Sequence, residues 1–81
     1  MSKQQSQIDY YLILHTWNRG EPVATVYGMI LRWIETYLHL INAKDEVFDI
    51  LKRVGEEDIE PITEDFVHGR VYPKLRAEFT I

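Results

Sequence analysis

The chain has 81 residues, of which 46% are hydrophobic and 27% charged, and its net charge is −4. This length predicts one domain, 1–81, and this composition is that of a globular rather than a disordered protein. The absence of cysteine excludes disulfides and thiolate metal sites. The amino-terminal residues lack the apolar run of a signal peptide, and no run is long enough to span a bilayer. We therefore expect a cytoplasmic protein that does not contact a membrane.

The first element is predicted to follow a loose polar leader at residues 1–7. Ser6 and Asp9 have the spacing of a capping box, which predicts a helix over residues 7–18. The apolar run inside this segment has no clear period, so an extended conformation stays open as the alternative. In that alternative, residues 8–29 form an amino-terminal hairpin, and the fold class is α+β.

A long apolar stripe at helical spacing runs through the middle of the chain. Its members recur at steps of three and four, which predicts a helix over residues 22–42: Val23, Val26, Tyr27, Ile30, Ile34, Tyr37, Leu38 and Ile41. A second stripe, formed by Met29, Trp33 and Leu40, lies beside the first. So wide an apolar face is typical of a helix contacted from two directions, and we expect another copy of the chain to make the second contact.

The predicted fold class is mainly α, with three helices and an extended carboxyl-terminal segment. The third helix is predicted over residues 44–55, with Asn42 as its amino-terminal cap and Gly55 as its end. Residues 56–65 carry six acids and no base, and we interpret them as an acidic loop. Apolar and polar residues then alternate over 74–81, which predicts a half-buried strand.

No residue pattern in the chain points to catalysis. The only serines, Ser2 and Ser6, lie in the predicted leader, and the four glycines are too scattered to build a phosphate-binding loop. Glu35 and His39 are one helical turn apart, but no third ligand has a matching spacing, so we interpret them as a surface pair. We therefore predict that the protein is not an enzyme and has no catalytic, cofactor-binding or metal-binding residues.

The function that the sequence favours is that of a small regulatory or adaptor protein acting through protein–protein contacts, as a homodimer. Apolar and aromatic side chains left over from the predicted core would form the contact surface, because such anchors carry most of an interface's energy. The predicted interface residues are Met29, Trp33, Leu40, Phe79 and Ile81.

Two alternatives remain open. Dense carboxylates can imitate a phosphate backbone, which would suit an inhibitor of a nucleic-acid enzyme from a phage or mobile element. The residues that would carry this role are Glu56, Glu57, Asp58, Glu60, Glu64 and Asp65. The second alternative is a helix-turn-helix DNA binder. The polar strip of the central helix has Arg32 as its only base, so its charge disfavours binding to nucleic acid.

Overall fold

The computed structural model describes residues 2–79, which form a mainly helical unit with extents of 29 × 27 × 21 Å. The predicted mainly-α fold class is confirmed, and the hairpin alternative is wrong because residues 8–29 lie in two helices and the turn between them. No strand forms within residues 2–79, and none of their helices is long and apolar enough to cross a membrane. Within this described range, five α-helices follow one another: α1 (Lys3–Asn18), α2 (Val23–Tyr37), α3 (Lys44–Val54), α4 (Ile59–His68) and α5 (Pro73–Phe79).

Helix α1 begins earlier than the sequence predicted. Ser2 is its cap, because the Ser2 hydroxyl accepts a hydrogen bond from the backbone N–H of Gln5 at 3.1 Å. Ser6, the predicted cap, is buried inside the helix, where its hydroxyl donates to the carbonyl of Lys3. The expected leader at residues 1–7 is therefore wrong from residue 3 onward. The buried positions of α1 lie on one face: Ser6, Tyr10, Ile13 and Thr16.

Helix α2 is the central element, and the predicted apolar stripe forms its buried face. The helix packs against α1 and α4, so its wide apolar surface is covered from two directions within one chain. Trp33 shows this directly, since its ring centroid lies 4.8 Å from that of Phe79 and 5.9 Å from that of Phe66. The predicted single helix over 22–42 is too long, because the chain tightens into a 3-10 turn at Leu38–Leu40.

Helices α3 and α5 cap each other through carboxylates. Glu78 of α5 accepts hydrogen bonds from the backbone N–H groups of Asn42 (2.9 Å) and Ala43 (3.1 Å), just before α3 begins. Glu46 of α3 accepts from the N–H groups of Lys74 (3.3 Å) and Leu75 (2.8 Å) in the first turn of α5. Asn42 is therefore not the side-chain cap that the sequence predicted, and Gly55 does end α3 as expected.

The predicted strand over 74–81 is wrong within the described residues, because 73–79 are helical. Leu75 and Phe79 are both buried, and a spacing of four satisfies a helix face as well as an alternating strand. Ala77, which a strand would bury with them, is exposed. Ile81 and the rest of the predicted strand lie outside the described residues.

The predicted acidic loop over 56–65 is helical from Ile59 onward. Ile62, Phe66 and Val67 are buried at steps of four and one, so α4 turns one apolar face toward α2 and leaves its acids outside. Three predicted helices thus become five, because residues 56–79 supply two more. The apolar residues Ile59, Ile62 and Phe66 recur at steps of three and four, a helical spacing that the interpretation of the segment as an acidic loop overlooked.

Gly69 closes α4 in a left-handed conformation, with φ of 67°. An added Cβ would also lie 2.9 Å from Cγ of Arg76, whose guanidinium donates to the Val67 carbonyl at 2.6 Å. We expect Gly69→Ala to lower the free energy of unfolding by about 1–2 kcal/mol, as measured by urea denaturation. The matched control is Gly55→Ala, since Gly55 has φ of −87° and open space around its Cα. Equal losses in the two variants would contradict this account.

Candidate functional site

A groove of about 260 Å³ lies between α1 and α2 on the outside of the bundle. Its walls are one turn or more of each helix, so the site depends on how these two helices pack. The residues that line it are Asp9, Leu12, Ile13, Met29, Arg32, Trp33, Thr36 and Tyr37.

The floor of the groove is rigid. Trp33 is 97% buried, and its indole N–H donates to the carbonyl of Ser6 at 2.9 Å, which fixes the ring against α1. Behind it, the rings of Tyr10, Phe66 and Phe79 fill the core at centroid distances of 4.8–5.9 Å from Trp33. A contact made in the groove would therefore meet a preformed apolar surface rather than one that has to be ordered on binding.

The outer wall of the groove is apolar and open to solvent. Leu12 is 50% exposed, and Ile8, one turn earlier on the same side of α1, is 52% exposed. On the facing helix, Met29 is only partly buried and packs against the core from the groove. Large apolar side chains that line a groove and continue beyond it are typical of docking surfaces.

Polar groups occupy one end of the groove. The Asp9 carboxylate accepts hydrogen bonds from the Tyr37 hydroxyl and from Nε2 of Gln5, the latter at 3.1 Å. The bond to Asp9 raises the pKa of Tyr37, so this phenol stays protonated at neutral pH and acts as a donor. The Arg32 guanidinium, by contrast, makes no ion pair with any described residue.

This arrangement supports non-covalent binding. The groove combines apolar side chains with the Asp9 carboxylate, the Arg32 guanidinium and a Tyr37 phenol that stays protonated at neutral pH. Among residues 2–79, no three histidine, aspartate or glutamate side chains lie together in a way that could hold a metal ion. The groove thus offers apolar contact beside one carboxylate and one guanidinium.

The structure separates the predicted interface residues. Trp33 and Phe79 are 3% and 0% exposed and contact each other in the core, so neither side chain is available to a partner as predicted. Met29 lines the groove, and Leu40 is partly buried against the core. Ile81 lies outside the described residues. Of the predicted interface residues, Met29 and Trp33 line the groove, Trp33 as its buried floor. The prediction did not include Leu12, which belongs to the apolar run of α1, or Ile8, which lies just before that run.

The six predicted acidic residues divide into two sets. Arg53 forms a two-point ion pair with Glu57 (2.8 and 3.0 Å) and a further pair with Asp65 (2.9 Å), so these two acids are neutralised within the fold. The same guanidinium donates to the Tyr72 hydroxyl, which donates to Asp49 at 2.6 Å. Four carboxylates remain exposed and have no ion pair within residues 2–79: Glu56, Asp58, Glu60 and Glu64.

No protein-family model, curated protein or solved structure matches this chain.

Proposed function

We propose that this protein is a small, non-catalytic regulatory or adaptor protein that acts through protein–protein contacts at the α1–α2 groove and associates with itself. The observation that supports the proposal is the exposure of Ile8 and Leu12 beside a rigid apolar groove. A domain of this size gains little stability from its own core, and its exposed apolar side chains are costly to leave in water. Burying them between two molecules addresses both. The core aromatic residues support the surface from below.

Leu12→Glu should abolish self-association while leaving the fold intact. The substituted carboxylate stays solvated in the monomer, because Leu12 is half exposed, but it would have to be desolvated in an interface. We expect at least a tenfold rise in the dimer dissociation constant, measured by sedimentation equilibrium, with an unchanged circular dichroism spectrum.

The matched control is Phe48→Glu, because Phe48 is an equally exposed apolar residue (56%) on α3, which does not line the groove. We expect this variant to associate as the wild type does. If Phe48→Glu dissociates the dimer and Leu12→Glu does not, the contact surface lies on α3 and not at the α1–α2 groove. A wild-type chain that stays monomeric at high micromolar concentration would refute self-association altogether.

The second candidate function is that of an acidic decoy that binds a nucleic-acid enzyme. The specific observation is that Glu56, Asp58, Glu60 and Glu64 have no ion pair within residues 2–79, whereas Arg53 neutralises the other two acids of the block. A test should reverse Asp58 and Glu60 to lysine and leave Glu57 in place, since Glu57 holds Arg53. Titration with an arginine-rich peptide should then lose most of its affinity in the double variant, and equal affinity would refute the decoy.

A further inference from the structure

Gly28 is placed where a glycine costs helix stability and brings no visible benefit to the single chain. It lies in the middle of α2 and is exposed, and glycine is the poorest helix former after proline. Its φ is not positive, and an ideal Cβ at this position would meet nothing within 4 Å. Neither the backbone conformation nor packing within the chain therefore requires a glycine here.

The remaining structural use of a glycine is to let another backbone approach closely. Because Gly28 faces outward, the approaching backbone must belong to another molecule. Arg32, which lines the groove, lies one turn further along the same side of α2, so Gly28 continues the candidate site rather than forming a separate one. We propose that Gly28 marks the closest approach of α2 to a second copy of this chain, an inference that rests on the proposed self-association.

The charges beside the groove are self-complementary, and this favours a second copy of the chain as the molecule that binds there. One helix supplies an acid, Asp9, and the other supplies a base, Arg32, that is free of any ion pair in the described residues. In a two-fold dimer that joins the two α2 helices near Gly28, Arg32 of each copy can pair with Asp9 of the other, so the pair occurs twice. Asp9 already accepts from Tyr37 and Gln5, and a carboxylate has lone pairs left for a guanidinium.

The steric part of the proposal is tested with Gly28→Leu. We expect this variant to raise the dimer dissociation constant at least tenfold in sedimentation equilibrium, because the side chain occupies the space of the second α2. In dilute solution, where the monomer dominates, its melting temperature should equal or exceed that of the wild type, since leucine favours the helix. The matched control is Ala77→Leu, which adds the same side chain at an exposed position of α5 and should leave the dimer unchanged.

The electrostatic part is tested by mixing two charge-reversal variants. Arg32→Glu and Asp9→Lys each place like charges at both contacts of their own dimers, so each should sediment as a monomer. An equimolar mixture restores two opposite-charge pairs and should form a heterodimer. Dimers that tolerate Gly28→Leu but dissociate with Leu12→Glu would overturn the Gly28 contact and leave the proposed function standing. A mixture that stays monomeric would overturn the Arg32–Asp9 pairing, and a monomeric wild type would overturn both proposals.

Discussion

Phe79→Ala should lower the free energy of unfolding by about 3–5 kcal/mol, a loss comparable to the whole stability of a domain of this size. The Phe79 ring is fully buried and lies against Trp33 and Tyr10, with the Lys3 ammonium 4.5 Å from its centroid. Its removal leaves a cavity at the point where α1, α2 and α5 meet. Urea denaturation at neutral pH, followed by circular dichroism, measures the effect.

Phe48→Ala is the control for this experiment, because it removes the same side chain from an exposed position on α3. We expect the free energy of unfolding of this variant to change by less than about 0.5 kcal/mol. A small effect of Phe79→Ala would mean that α5 is not docked on the core. It would also contradict the support that Phe79 gives to Trp33 at the base of the α1–α2 groove.

Glu78→Gln should lower the free energy of unfolding by about 2 kcal/mol at pH 7 and flatten its dependence on pH. Burial alone would raise the pKa of the Glu78 carboxyl, but the ion pair with Lys3 and the N–H groups of Asn42 and Ala43 outweigh it, and the pKa falls below its usual 4.5. Because the folded pKa is lower than the unfolded one, this stabilisation is complete above about pH 4.5 and is lost as the pH falls through the folded value.

Denaturation of the wild type and of Glu78→Gln between pH 3 and pH 7 measures this difference (a range of about four units around the carboxyl pKa). We expect the two chains to converge in stability at the acid end. Some decline remains in the variant, because Lys74 lowers the pKa of Asp45 and Arg53 lowers that of Glu57. Glu64→Gln, at an exposed position without an ion pair in the described residues, should behave as the wild type. Parallel curves for Glu78→Gln and the wild type would contradict the capping role.

Helices α2 and α3 could be predicted because their apolar residues recur at helical spacing over several turns, whereas the apolar run of α1 has no clear period and fits a strand as well as a helix. The same reasoning failed for α5, because Leu75 and Phe79 fit both a strand and a helix. The first turn of α5 is also capped by Glu46, a residue 28 and 29 positions away from the amides that it caps. Long-range capping of this kind leaves no local signal. The sequence did contain one helix-forming cue, Pro73, which suits the first position of α5.

The error about Trp33 followed from the error about α4. With residues 56–65 interpreted as a loop, the predicted fold had too few helices to cover a second apolar stripe on α2, and a second copy of the chain was assigned to Trp33 instead. Once α4 and α5 are present, Phe66 and Phe79 cover that ring. The exposed surface then shifts to Ile8 and Leu12. Leu12 could not be distinguished from core residues because its run is apolar on every side, and Ile8 lies just before that run.

A dilution series of amide nitrogen–hydrogen correlation spectra tests most directly whether the α1–α2 face joins two copies of the chain. On dilution from high to low micromolar concentration, we expect the signals of Ile8, Leu12, Gly28 and Arg32 to shift together, while those around Phe48 on α3 stay in place. Shifts that cluster on α3 instead, or spectra that do not change with concentration, would contradict the account.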